Sequence, residues 1–346
     1  MAKKNEQQLN YGAEVKKLKA EGPKNLYLLW GVEDYLREQY LIELKKLCLP
    51  EGEDSFSFKR FDGPELDVYE FAEAVDAIPF MTERSFIELR DVDINKLKDP
   101  DAYLKVISDI PDYCTVAFVQ NANYEPDGRT KFNKALRSKG YELKFTQQAQ
   151  NMLEGWVGRR FAAAGKRIER EAVQRLIFIS GDIMSRLIPE IEKIAGYAAD
   201  DMVTVSDVEA VAIPIPEAVV FEMTEHISKR NYNAAFRVLS QLLADKNNEP
   251  IYMLAVLAAQ MRKLYGTRIA IEERLGAKFV MENCGVKLDF VANKLLSSAQ
   301  GFTLSQLKKA VEICAETDFR MKSSGIDSRE LLKEAVLRIA AGESDV

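Results

Sequence analysis

The chain has 346 residues, 47% of them hydrophobic and 29% charged, with a formal net charge of −6. That length and composition allow two or three folded domains with sizeable cores, and the acidic balance argues against an autonomous nucleic-acid binder, which carries a basic face. Four scattered cysteines (Cys48, Cys114, Cys284, Cys314) and a single histidine, His226, leave no zinc-ligand spacing, disulfide framework or His-based catalytic pair. The cysteines read as small apolar residues in a reducing compartment. No apolar run is long enough for a membrane span, and the charged N-terminus lacks the apolar core of a signal peptide, so a cytoplasmic location is expected.

The first 146 residues alternate strand and helix signals. "NLYLLWG" (25–31) is a short apolar run ending in glycine, and "EDYLREQYLIELKKL" (33–47) follows with Leu36, Tyr40, Leu41, Leu44 and Leu47 at helical spacing. "FSFKRF" (56–61) alternates as a second strand. "DVYEFAEAVDAI" (67–78) is helical, with Val68, Phe71, Val75 and Ile78 on one stripe. "SFIELRDV" (85–92), "CTVAFVQ" (114–120) and "YELKF" (141–145) complete five strands, and "DAYLKVISDI" and "GRTKFNKALRSKG" supply the helices between them. This alternation predicts a parallel α/β sheet covered on both faces.

Beyond residue 147 the pattern turns helical. Helices are predicted over 150–165, 170–180 and 182–198, and a short one over 204–212 with Ser206 or Asp207 near its start. "IPIPEA" (213–218) interrupts the pattern twice with proline. Longer amphipathic segments follow at 217–229, 232–245, 250–275, 288–299, 303–321 and 328–340. Three domains are therefore expected: an α/β domain over 1–146, a small helical domain over 147–213 and a larger helical domain over 214–346.

An α/β domain followed by a small helical domain is the plan of AAA+ nucleotide-binding proteins. Their phosphate loop, G-x-x-x-x-G-K-[ST], follows the first strand, with backbone N–H groups cradling phosphate, a lysine on the terminal phosphates and a hydroxyl on magnesium. Here the corresponding turn is "WGVEDYLREQY". Gly31 is present, but the second glycine, the lysine and the hydroxyl are not. Glu33 and Asp34 put negative charge where phosphate would bind, which suits the helix dipole and repels the ligand. The turn reads as a degenerate nucleotide site that takes no cofactor. Glu88, Asp91 and Asp93, around the third strand, read as a strand end entering a solvated loop. Asp318 and Lys322 form an acid-first i,i+4 pair, with Gly325 as a candidate terminator of their helix. Arg262, Lys263 and Arg268 read as a solvated basic face.

The stretch "AVDAIPFMTERSFIEL" (74–89) carries the least ordinary local feature. Pro79 cannot continue a helix and pushes Ile78 away from helical dihedrals, so the helix is expected to end near Ala77, leaving Phe80 and Met81 in the loop before strand three. In a parallel sheet such a loop lies at the N-terminal edge of the strands, opposite the edge where cofactors bind. Phe80 then either folds back as a plug under the sheet or stands out as an anchor for a partner. Pattern alone leaves both readings open.

Over nearly its whole length the chain resembles one family, the delta subunit of the bacterial DNA polymerase III clamp loader. The resemblance runs through "LYLLWGVEDYLREQYLIELKK", "FKRFDGPELDVYEFAEAVDAIPFMTERSFIELRDV", "GDIMSRLIPEIEKIAGYA", "VFEMTEHISKRNYNAAFRVLSQLLADKNNEPIYMLAVLAAQMRKLY" and "FVANKLLSSAQGFTLSQLKKAVEICAETDFRMKSSGIDSRELLKEAVLRI". It implies an AAA+-like domain without a working ATP site, a lid-like helical domain and a helical collar. The implied activity is binding and opening of the sliding clamp, without ATP hydrolysis by this chain. Implied partners are the clamp, other loader subunits through the collar, and primed DNA within the complex. The family's clamp-binding element, a short segment ending in two adjacent apolar residues, maps onto Val75, Ile78, Pro79 and Phe80, with Ile78 or Met81 supplying the second apolar contact because Pro79 replaces the usual leucine. The alternative is an AAA+-derived, non-catalytic scaffold of another assembly.

Overall fold

The computed structural model describes residues 9–50, 52, 56–80, 82–245 and 248–342. These fall into two compact units. One comprises the chain up to Ala149 together with Asp182–Ile188, and the other Gln150–Gly181 with the chain from Pro189 onward.

The first unit opens with α1 (Tyr11–Glu21), which the sequence reading leaves unassigned. Asn10 caps it, accepting from the Ala13 N–H, and Leu18 is its one fully buried residue, too little apolar surface to show a period. Then follow β1 (Leu26–Trp30), α2 (Asp34–Cys48), β2 (Phe58–Asp62), α3 (Val68–Asp76), β3 (Ser85–Arg90), α4 (Pro100–Ser108), β4 (Cys114–Val119), α5 (Lys131–Lys139) and β5 (Tyr141–Lys144). The five strands form a parallel sheet in the order β2-β3-β4-β1-β5. All residues of β1 and β4 are buried, which is why both read as unbroken apolar runs in the sequence. One face is filled by Phe71, Tyr103, Phe118 and Phe132, whose rings meet mostly edge to face. On α2, Glu38 and Lys45 reach β3. Glu88, a mid-strand residue with no exposed surface, pairs with both Lys45 and Arg90, and Arg90 is bidentate on Glu38 at 2.9 and 2.6 Å. The strand-end reading of the three acids therefore fits Asp91 and Asp93, which lie past β3, and is corrected for Glu88.

The second unit contains α6 (Gln150–Ala163), β6 (Arg167–Ile168) and α7 (Arg170–Ser180). Next come α8 (Met184–Tyr197), whose first turn belongs to the first unit, then β7 (Met202–Val203) and α9 (Val205–Val211). The two-residue strands β6 and β7 pair in parallel, Arg167 opposite Met202. Thr204, rather than Ser206 or Asp207, caps α9. Asp207 sits at the third helical position and its carboxylate accepts from the Thr204 N–H at 2.8 Å, closing a capping box. Seven helices complete the unit: α10 (Pro216–Ser228), α11 (Tyr232–Ala244), α12 (Pro250–Glu272), α13 (Ala277–Asn283), α14 (Asp289–Ala299), α15 (Leu304–Ser323) and α16 (Ser328–Ala341). Leu254, Leu257, Met261 and Leu264 of α12 share one core with Leu295, Leu307, Ile313, Leu332 and Val336. The Asp318–Lys322 pair is present at 2.7 Å, while α15 is capped by Ser324 rather than ended at Gly325. Among the described residues, no helix is long and apolar enough to cross a membrane.

Candidate functional site: an aromatic tip at the N-terminal edge of the sheet

α3 is capped by Asp67, whose carboxylate accepts from the Tyr69 and Glu70 N–H groups, and ends at Asp76 with Ala77 already extended. The proline two residues later enforces that stop. Because the helix ends there, the apolar stripe predicted over 67–78 divides. Phe71 and Val75 are buried in the core, whereas Ile78 lies beyond the last turn and is 81% exposed. Val75, at 1% exposure, is thus removed from the set of candidate contact residues: a side chain committed to the core cannot meet a partner. Pro79 is half-buried, Phe80 is 64% exposed, and Met81 lies outside the described residues.

Phe80 is not loosely held. The Ser57 hydroxyl accepts from the Phe80 N–H at 3.2 Å and lies 3.3 Å from the Phe80 carbonyl oxygen. The Thr82 hydroxyl is 2.6 Å from the Ser57 hydroxyl and 2.9 Å from the Arg84 carbonyl. Ser57 is itself fixed, since its carbonyl accepts from the Phe86 N–H at 2.8 Å at the entrance of β3. The buried Ser57 hydroxyl and the partly buried Thr82 hydroxyl thus satisfy main-chain groups of this loop at Phe80 and Arg84. The Phe80 ring meets Phe56 at 6.4 Å and 84°, edge to face, and Phe56 is 94% exposed. The plug reading fails on these exposures, because a residue filling the underside of a sheet is buried.

The degenerate nucleotide turn lies at the other edge, past the C-terminal end of β1. Gly31 has φ +121°, and a Cβ on it would stand 2.4 Å from the Phe145 carbonyl oxygen, so only glycine fits. The Glu33 N–H donates to that same oxygen at 3.0 Å, and Arg37, inside α2, donates to the Gly31 carbonyl at 3.1 Å. Asp34 accepts from the Tyr35 N–H. Glu33 has no exposed surface. Its Oε1 accepts from the Met184 N–H at the start of α8, 3.2 Å away, while Oε2 has no hydrogen-bond partner among the described residues. Burial pushes this carboxyl up to about 7, reinforced by Asp34 and Asp182 and opposed by the Met184 N–H. Gly31, Glu33 and Asp34 lie together in the turn between β1 and α2. A feature not readable in the sequence is that the chain's own carboxylate occupies a helix N-terminus, a position suited to an anion.

Comparison with known proteins decides the family. A model described as DNA polymerase III, delta subunit, matches residues 27–146, and one for the C-terminal domain of the DNA polymerase III delta subunit matches 217–339, together well over half of the chain. This chain belongs to the DNA polymerase III delta subunit family. Among delta subunits it is 24% identical to the DNA polymerase III subunit delta of Bacillus subtilis (strain 168), across 94% of this chain and 95% of that one. It is 22% identical to a probable DNA polymerase III subunit delta of Aquifex aeolicus (strain VF5), across 90% of each. A solved structure of the Bacillus subtilis DNA clamp loader delta protein superposes with a TM-score of 0.50 at 24% identity, covering 95% of this chain and 99% of that chain. The fold is thus that of a delta subunit, a parallel-sheet α/β domain with a helical C-terminal part.

Within this delta-family chain, sequence reasoning missed Phe56. The alternation "FSFKRF" counted it as the first strand residue, but the ladder begins at Phe58, which stacks on Phe86. The available signal was its neighbourhood: Phe56 directly follows "EGEDS", a polar turn composition that argues against a buried position.

Proposed function

We propose that this chain is the clamp-opening subunit of a DNA polymerase III clamp loader. Phe80, with Ile78 and Pro79 beside it, inserts into an apolar pocket of the sliding clamp. Residues 147–213 act as a lid-like domain, and residues 214–346 form a collar that packs with other loader subunits. Primed DNA is met within the assembled complex, in the cytoplasm. The observation that carries this reading is an aromatic residue left 64% exposed on a loop whose main chain is held by Ser57. Ordering such a loop in advance removes part of the entropy cost of binding.

The turn after β1 supports a chain without ATP hydrolysis of its own. Its Glu33 N–H is spent on Phe145, and Leu36, Arg37 and Glu38 stand where the second glycine, the lysine and the hydroxyl of a phosphate loop would be, with Arg37 turned back onto the Gly31 carbonyl. Energy from ATP is then supplied by other subunits, and this chain contributes binding free energy.

Titration of the full chain with purified sliding clamp, wild type against Phe80→Ala, tests the assignment. Loss of a hot-spot aromatic costs about 2 kcal/mol or more, roughly a thirtyfold rise in Kd. Wild-type protein that does not bind the clamp, or a variant that binds equally well, overturns it.

A further inference from the structure

Two segments far apart in sequence converge at the aromatic tip. Phe56 lies just before β2 and Phe80 lies in the loop before β3. These strands are parallel neighbours in the register Phe58↔Phe86, so their entrances share one edge of the sheet. The two rings meet edge to face at 6.4 Å, yet both remain largely in water, Phe56 almost completely. A ring pair with no core role and this much exposure is apolar surface left for another molecule to cover. Ser57 joins the two halves: it follows Phe56 directly and binds Phe80 through both main-chain polar groups.

We infer that Phe56 is a second anchor residue, and that the surface presented to the clamp is an aromatic pair, Phe56 with Phe80, entering one apolar recess. This rests on the clamp-binding reading above. The rings touch, so a recess that encloses Phe80 on its Phe56 side must also take in Phe56. That makes Phe56 a further large apolar contact, added to Ile78 and Pro79 beside Phe80. Ser57 is the positioning residue that keeps the rings in register.

The test is a double-mutant cycle on the full chain, reading clamp affinity for wild type, Phe56→Ala, Phe80→Ala and the double variant, with thermal melting of each free protein. Phe56→Ala is expected to weaken clamp binding by at least about tenfold. The double variant should lose clearly less than the product of the two single losses, because either truncation spoils the shared contact. Phe56→Tyr, which keeps the ring, should bind close to wild type. The melting temperature of Phe56→Ala should match wild type, which separates a binding role from a folding one. If Phe56→Ala binds like wild type while Phe80→Ala does not, the second anchor is overturned and the clamp reading stands. Strictly multiplicative losses overturn the shared recess. Wild-type protein that ignores the clamp overturns both.

Discussion

Glu33 shows how much a single side chain can decide. Its carboxyl is raised from 4.5 to about 7, mainly by burial, so the folded chain holds a proton that the unfolded chain releases between those values. The resulting stabilisation is fully present below pH 4.5 and is lost as pH rises through about 7. Glu33→Gln cannot ionise, so its stability relative to wild type should rise between pH 4.5 and pH 8, by on the order of 3 kcal/mol. Urea unfolding of both proteins across that range checks it, and parallel curves would contradict the assignment. The missing lysine and second glycine of the turn were legible in the sequence. The destination of the Glu33 carboxylate was not, because the N–H it binds is 151 positions away. The same holds for Phe56 and Phe80, which meet only because two strands pair. Val75 gives the converse lesson: its helical stripe with Phe71 pointed to the core, and that periodicity was a better guide to its position than alignment with a family motif.

At the level of elements, α2, whose Leu41 and Leu44 are buried, is tied to β3 by charges. Glu88 has no exposed surface and joins Lys45, which is 8% exposed, to Arg90. Arg90 also holds the Glu38 carboxyl below its ordinary value, against the opposing effect of burial. Removing one member of a buried ion pair leaves the other charge without compensation, so Glu88→Ala should cost about 3–5 kcal/mol in urea unfolding. Replacing Lys45 and Glu88 together by methionine should recover much of that loss, since a well-packed apolar pair often matches a buried ionic one. A cost below about 1 kcal/mol for Glu88→Ala would mean the pair is not a structural tie. In the main sheet β1 and β4 were legible because burial on both faces turns a strand into a continuous apolar run, whereas the exposed edge strand β2 was read from its alternation. The two-residue strands β6 and β7 were not legible, because segments that short show no alternation, and α13 was not, because it buries only Val280 and so carries no apolar stripe.

At the scale of the whole molecule, the two edges of the α/β sheet differ in character. Its C-terminal edge carries a closed, acidic turn, and its N-terminal edge carries exposed aromatic rings. A subunit that opens a ring by binding alone can favour the open form only by its difference in affinity for the two forms. The free chain should therefore bind a monomeric clamp variant more tightly than the closed ring, with each tenfold difference corresponding to about 1.4 kcal/mol of opening free energy. Equal affinities measured side by side would remove the opening role while leaving a plain clamp contact. The helical plan after residue 147 was evident from its amphipathic segments. The grouping of Asp182–Ile188 with the α/β unit was not, because sequence order gives no sign of it.

The Ser57 hydroxyl grips Phe80 by its main-chain N–H and carbonyl and makes no demand on the side chain. Grip and cargo are thereby uncoupled, as in a socket that accepts different bits. Position 80 can exchange one large apolar group for another without reshaping the loop that presents it. A lineage could in this way retune its fit to a drifting partner through single substitutions at the tip, while the serine beneath it stays the same.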